Sequence, residues 1–102
     1  MTNKRPWAIR PIHPGEILRE DVLPALARPK TEIARHLGIS RQTLYDILNE
    51  KQPVTAQMAL RLGKLCGDGP DIWLNMQKRY DLQIAMRELG DALDRIPVLK
   101  AA

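Results

Sequence analysis

Apolar side chains recur along this chain at the three- and four-residue spacing of α-helices, and prolines and glycines divide the pattern into five predicted helices. The first begins at Pro14, because proline fits the first position of a helix, and Pro24 limits its length. The second covers residues 30–37 and ends at Gly38, since glycine favours the left-handed conformation that closes a helix. No segment alternates with a period of two for the length of a strand, so the sequence predicts an all-α protein.

The third helix follows the second after only three residues, 38–40. Ser40 is a good N-cap, and Leu44, Ile47 and Leu48 give this helix an apolar face. Two short helices joined by a three-residue turn that contains glycine are typical of a helix-turn-helix, in which the helices cross steeply. The isoleucine in the turn is expected to fill the space between them.

The rest of the pattern predicts two more helices and the two ends of the chain. Thr55 caps the fourth helix, and Pro70 starts a fifth that extends to about Leu89. Fraying or a short tail helix is expected after Gly90. The predicted organisation is an N-terminal arm, a five-helix domain and a C-terminal tail, covering residues 1–12, 13–90 and 91–102.

The outward face of the third helix carries side chains that suit the edges of DNA bases. These are Arg41, Gln42, Tyr45 and Asp46, which lie opposite the apolar face. An arginine matches guanine O6 and N7, a glutamine matches adenine, and helix-turn-helix proteins present the N-terminal half of this helix to the major groove. Asp46 either accepts a hydrogen bond from cytosine or holds Arg41 in place. We therefore interpret these four residues as base contacts.

Polar residues around the third helix are candidates for contacts with DNA phosphates. Ser40 and Thr43 lie at its N-terminus, Lys30 starts the second helix, and Lys51 and Gln52 follow in the loop after the third helix. Such contacts position a protein on the duplex but do not specify sequence.

Composition narrows the function classes further. The formal charge of +4 agrees weakly with a polyanionic partner. The single cysteine, Cys66, is interpreted as a small core residue, and no cysteine or histidine has zinc-ligand spacing. His13 and His36 are the only histidines, and neither a nucleophile motif nor a phosphate-binding glycine loop is present, so we expect neither an enzyme nor a cofactor site. No apolar run reaches the roughly 20 residues of a membrane span, so we expect a cytoplasmic protein without a membrane partner.

Several ordered segments resemble the HigA-type antitoxins, a branch of the Xre/Cro-like helix-turn-helix family. The similar segments are residues 13–20 (HPGEILRE), 38–44 (GISRQTL), 47–49 (ILN), 55–62 (TAQMALRL), 70–77 (PDIWLNMQ) and 80–82 (YDL). The resemblance covers about residues 12–83 and implies a five-helix, lambda-repressor-like DNA-binding domain.

The resemblance also implies partners. Antitoxins of this type bind a RelE-like ribonuclease toxin, suppress it, and as homodimers repress their shared operon at a palindromic operator in double-stranded DNA. The dimer contact in this branch is formed largely by the fifth helix and the residues after it, which here offers Trp73, Tyr80, Leu82, Leu89, Leu93 and Ile96. Trp73 is equally well explained as a residue buried within one subunit.

Three points stay open at the level of sequence. The chain could be a stand-alone Xre-type repressor without a toxin, or a protein-binding module whose helix-turn-helix no longer contacts DNA. The N-terminal arm, with Trp7 and Ile9, matches no motif of the family and either contacts the toxin or is disordered.

Overall fold

The computed structural model describes residues 10–101, and every regular element within that range is helical. Helix α1 comprises Pro14–Ile17, a π-helical turn Leu18–Val22 and Leu23–Leu26, followed by α2 Lys30–Leu37, α3 Arg41–Leu48, α4 Ala56–Cys66, α5 Asp71–Leu89 and α6 Asp91–Asp94. The all-α prediction with five principal helices and a short tail helix is thereby confirmed. Trp7 and Ile9 of the predicted arm lie outside the described residues.

Helix α1 starts as predicted but runs past the proline that was expected to limit it. His13 is its N-cap and Pro14 its first residue. A π turn precedes Pro24, with the Leu23 N–H donating to the carbonyl of Leu18, five residues back. The wider turn accommodates a proline ring that would press on the preceding turn of a regular helix. The helix therefore continues past Pro24 and ends at Leu26, two residues later.

Helices α2 and α3 form the predicted helix-turn-helix with the predicted bounds. Gly38 closes α2 at φ 73°, a left-handed conformation that glycine adopts without steric cost. Ser40 then caps α3, where its side chain accepts from the Thr43 N–H. Ile39 is half-buried against the core, as expected for a residue that fills the space between the two helices.

The core lies between α1, α2, α3, α4 and the start of α5, and it is aliphatic apart from one tryptophan. Its buried hydrophobic members are Leu18, Leu23, Ile33, Ala34, Leu37, Leu44, Ile47, Leu48, Val54, Met58, Ala59, Leu62 and Trp73. Cys66 packs half-buried against this cluster, and burial raises the pKa of its thiol, which disfavours the reactive thiolate.

Trp73 corrects one residue of the predicted dimer surface. Its side chain is only 1% exposed in the single chain, and its indole N–H donates to Asp68 Oδ1 at 3.2 Å. A side chain with no free surface cannot contact a second copy, so Trp73 is a core residue of the subunit. It anchors the first turn of α5 to the other helices.

Helix α4 meets the turn before α5 at unusually short range. A Cβ atom added to Gly63 would lie 2.2 Å from the backbone carbon of Gly69. Real Cβ atoms do not approach other atoms so closely, so the absence of a side chain at Gly63 lets the two segments pack.

The C-terminal part of α5 and the tail leave the core. Residues 90–101 are exposed, and α6 contributes no buried residue. Of the helices in residues 10–101, none combines the length and the apolar character that a membrane crossing needs.

Candidate nucleic-acid interface

The N-terminus of α3 is ordered by a pair of hydroxyl side chains. Ser40 Oγ accepts from the Thr43 N–H at 3.0 Å and donates to Thr43 Oγ1 at 2.9 Å. This arrangement satisfies one of the unpaired N–H groups of the first helical turn. Because the Ser40 hydrogen is used inside the pair, the Thr43 hydroxyl hydrogen is the one left to donate outward.

The outward face of α3 carries the residues predicted to contact bases. Arg41 and Gln42 are exposed, Tyr45 is 44% exposed, and Asp46 is half-buried. The opposite face, with Leu44, Ile47 and Leu48, is buried in the core. The helix therefore keeps its polar face free of the subunit while its apolar face fixes it to the domain.

Asp46 pairs with Gln42, whereas the sequence suggested Arg41 as one of two alternatives. Gln42 Nε2 donates to Asp46 Oδ1 at 2.8 Å, one helical turn away. Position 41 is five residues from position 46 and lies off that face of the helix. The correction has a chemical consequence, because the pair orients the Gln42 amide and leaves the Arg41 guanidinium free of this carboxylate.

Three of the residues predicted to contact phosphates, Lys30, Lys51 and Gln52, occupy exposed positions before and after α3. Lys30 is the first residue of α2, and Lys51 and Gln52 lie in the loop that follows α3. That loop is anchored on both sides: the Lys51 N–H donates to the carbonyl of Asp46 at 2.8 Å, and the Val54 N–H donates to Gln77 Oε1 at 2.8 Å. Gln77 is buried on α5, so the loop has a defined position relative to the longest helix.

His13 connects the start of α1 to the same loop. The ring is 2% exposed, its Nδ1 accepts from the Gly15 N–H at 2.9 Å, and it hydrogen-bonds the backbone of Gln52. Its face meets Tyr80 of α5 in a T-shaped contact with ring centroids 4.9 Å apart. Burial lowers the pKa of His13, which favours the neutral ring that this acceptor role requires.

Two arginines that the sequence analysis did not single out contact the helix-turn-helix. Arg61 on α4 donates from Nη1 to the carbonyl of Leu37, and Arg19 on α1 donates from Nη1 to the carbonyl of Leu48. These contacts join residues 24 and 29 positions apart, and no local pattern in the sequence points to them.

The predicted dimer residues differ in their surroundings. Tyr80 is half-buried by its contact with His13, while Leu82, Leu89 and Leu93 are 49%, 47% and 40% exposed. The three leucines and Ile96, also exposed, thus offer apolar surface along α5, α6 and the tail.

A protein-family model matches the part of the chain that forms this interface. The model describes the CENP-B N-terminal DNA-binding domain and matches residues 27–58, which contain α2, the turn and α3.

Similar proteins cover most of the chain. Virulence-associated protein I of Dichelobacter nodosus is 40% identical over 77 residues, which make up 76% of this chain and 71% of that protein. The structure of an addiction module antidote protein of the HigA family from Coxiella burnetii is 37% identical, with a TM-score of 0.82 over 90% of this chain and all of that one. The antitoxin HigA of Pseudomonas aeruginosa, solved with the higBA promoter, is also 37% identical, with a TM-score of 0.82 over 89% of this chain and all of that one.

Proposed function

Since this chain belongs to the HigA family of helix-turn-helix proteins, we propose that it is the antitoxin of a type II toxin–antitoxin system. In this role it represses its own operon by binding operator DNA, and it neutralises a RelE-like ribonuclease toxin encoded beside it. A relative of the same fold has been solved with promoter DNA, which supports the DNA-binding half of the proposal.

The outward surface of α3 is the observation that carries the proposal. Arg41, Gln42 and Tyr45 are exposed on a helix whose other face is buried, so they are free to enter a groove. The Arg41 guanidinium matches the two acceptors of guanine. The bond to Asp46 uses one Nε2 hydrogen of Gln42 and leaves the second hydrogen and Oε1 for an adenine.

The surrounding polar groups would then contact phosphates. The Thr43 hydroxyl and Ser40 lie at the N-terminus of α3, where the helix dipole favours an anion. Lys30, Lys51 and Gln52 are exposed on the segments next to α3 and complete this set.

We further propose that the protein acts as a homodimer on a palindromic operator. The exposed leucines Leu82, Leu89 and Leu93 supply an apolar surface on the part of the chain that leaves the core. Two copies joined through this surface would present two α3 helices to successive turns of the duplex, about 34 Å apart.

The DNA-binding role is tested with Arg41→Ala on the promoter fragment upstream of the protein's own gene. We expect a loss of about 1 to 3 kcal/mol in specific affinity, because a bidentate contact to one base is removed. Arg79→Ala, which removes an exposed cation from α5, is the matched control and should bind as the wild type does. Unchanged promoter affinity in Arg41→Ala, measured by fluorescence anisotropy, would contradict the assignment of α3.

The toxin-binding role is tested separately by co-expression with the product of the neighbouring gene. A stable complex on size-exclusion chromatography, together with restored growth of cells that express the neighbour, is the expected result. Promoter binding without any such complex would instead indicate a stand-alone repressor.

A further inference from the structure

We propose that Arg19 and Arg61 are positioning residues for DNA binding, each holding the C-terminal end of one helix of the helix-turn-helix from a helix outside that motif. This inference rests on the proposed function, because the position of α3 matters for activity only if α3 contacts DNA.

Arg61 holds the end of α2 and the turn. Its Nη1 donates to the carbonyl of Leu37, the last residue of α2, at 2.7 Å. The same nitrogen lies 2.8 Å from the point where a Cβ of Gly38 would stand, so the guanidinium occupies the space beside the turn. The last carbonyls of a helix lack intrahelical partners and carry partial negative charge, which makes a cation a favourable cap.

Arg19 holds the end of α3 in the same manner. Its Nη1 donates to the carbonyl of Leu48, the last residue of α3, at 2.5 Å. Its Nε donates to Glu20 at 2.8 Å, and its Nη1 lies 3.5 Å from a carboxylate oxygen of Glu50, the second residue after the helix. The guanidinium is therefore fixed by two carboxylates as well as by the helix end it caps.

The two contacts enclose the segment that would meet DNA. Residues 38–48 contain the turn and all of α3, and an arginine from elsewhere in the fold binds the chain at Leu37 and at Leu48. Base contacts tolerate little displacement, since a hydrogen bond weakens steeply outside a narrow range of distance and angle. A loosened end of α2 or α3 would therefore lower specific affinity more than non-specific affinity.

The test compares Arg61→Met, Arg61→Lys and the control Lys64→Met. Lys64 is exposed on the same helix, so its replacement removes the same charge but no carbonyl contact. Binding to the promoter fragment and to an unrelated duplex of equal length is measured over a salt series, below the unfolding temperature of every variant. We expect Arg61→Met to bind the promoter roughly 5- to 30-fold more weakly with an unchanged salt slope. Arg61→Lys should recover part of the loss, because lysine can also donate to Leu37, and Lys64→Met should bind as the wild type does.

Three results would overturn the inference. Wild-type promoter affinity in Arg61→Met, even with a lowered unfolding temperature, would mean that the cap is only structural. Equal losses on both duplexes with a salt slope smaller by about one would identify Arg61 as a phosphate contact. A wild-type protein that does not prefer the promoter would reject the proposed function itself, and the inference with it, and this failure is visible before any variant is compared.

Arg19 provides an independent second test should Arg61→Met fail to fold. Arg19→Met should also weaken promoter binding at constant salt slope, and Arg19→Lys should restore part of it. Promoter affinity equal to that of the wild type in Arg19→Met would count against the inference in the same way.

Discussion

At the scale of single residues, the least expected role belongs to His13. The sequence placed it at the start of a helix, and the structure adds that its buried ring is the acceptor that caps α1 and a neighbour of Tyr80 and the loop after α3. Protonation of Nδ1 would remove that acceptor. The ring thus contacts a loop next to the candidate DNA surface and accepts the Gly15 N–H only while Nδ1 is unprotonated.

We predict that the protein loses stability below about pH 6.5 through His13. Because burial lowers its pKa in the folded state, the unfolded chain takes up the proton more readily, so the stabilisation present above pH 6.5 declines as the pH falls toward the folded-state pKa. The slope contributed by one such group is at most about 1.4 kcal/mol per pH unit. Urea unfolding at pH 7.5 and pH 5.0 measures this difference in the free energy of unfolding.

A variant of His13 isolates this effect. Asparagine caps helices but does not titrate, so His13→Asn should show a flatter pH dependence, though from a lower stability. Equal slopes in His13→Asn and the wild type would show that another group is responsible.

At the scale of the elements, the sequence predicted the helix ends that depend on neighbouring residues but not the contacts that depend on helix packing. The bounds of α2 and α3 follow from Gly38 and Ser40, whose effects act within one helical turn, and both helices were predicted correctly. For α1 the sequence named only Pro24 as a limit, and the helix passes this proline by two residues because a π turn of five residues precedes it. The contacts of Arg19 and Arg61 were missed for a different reason, since they depend on how helices pack and not on spacing along the chain.

The true end of α1 offers a test of helix capping. Ala27 ends α1 at φ 55°, where a Cβ is unfavourable, so Ala27→Gly should raise the free energy of unfolding by about 0.5 to 1 kcal/mol. Ala25→Gly, two residues earlier inside the helix, should lower it by a similar amount. Urea unfolding of each variant measures the change in the free energy of unfolding. A loss of stability in Ala27→Gly would contradict the assigned cap.

At the scale of the whole molecule, the predicted dimer residues fall into two groups, one in the core of the subunit and the other on its surface. The sequence grouped Trp73 with the leucines of α5 and the tail because helical spacing does not distinguish a face buried within a subunit from one buried between subunits. The structure separates them, with Trp73 inside the domain and Leu82, Leu89 and Leu93 exposed.

We predict that Leu89→Glu combined with Leu93→Glu yields a monomer in analytical ultracentrifugation. Charges on both helices would oppose burial of this surface, and operator affinity should fall by about 100-fold or more, because the second half-site no longer binds at a high effective concentration. Leu60→Glu, at another exposed leucine on α4, should keep the dimer. A dimer that survives the double substitution would place the interface elsewhere.

The short approach between α4 and the turn before α5 bears on how freely this architecture can vary. With no room for even a methyl group at Gly63, the close approach of α4 to the turn before α5 requires glycine at this position, while the side chains of Trp73 and Gln77 hold α5 beyond the turn. Any replacement at position 63 would have to push these two segments apart and so shift the start of α5 relative to α4. Evolution can therefore exchange the exposed side chains of α3 far more freely than the residue at position 63.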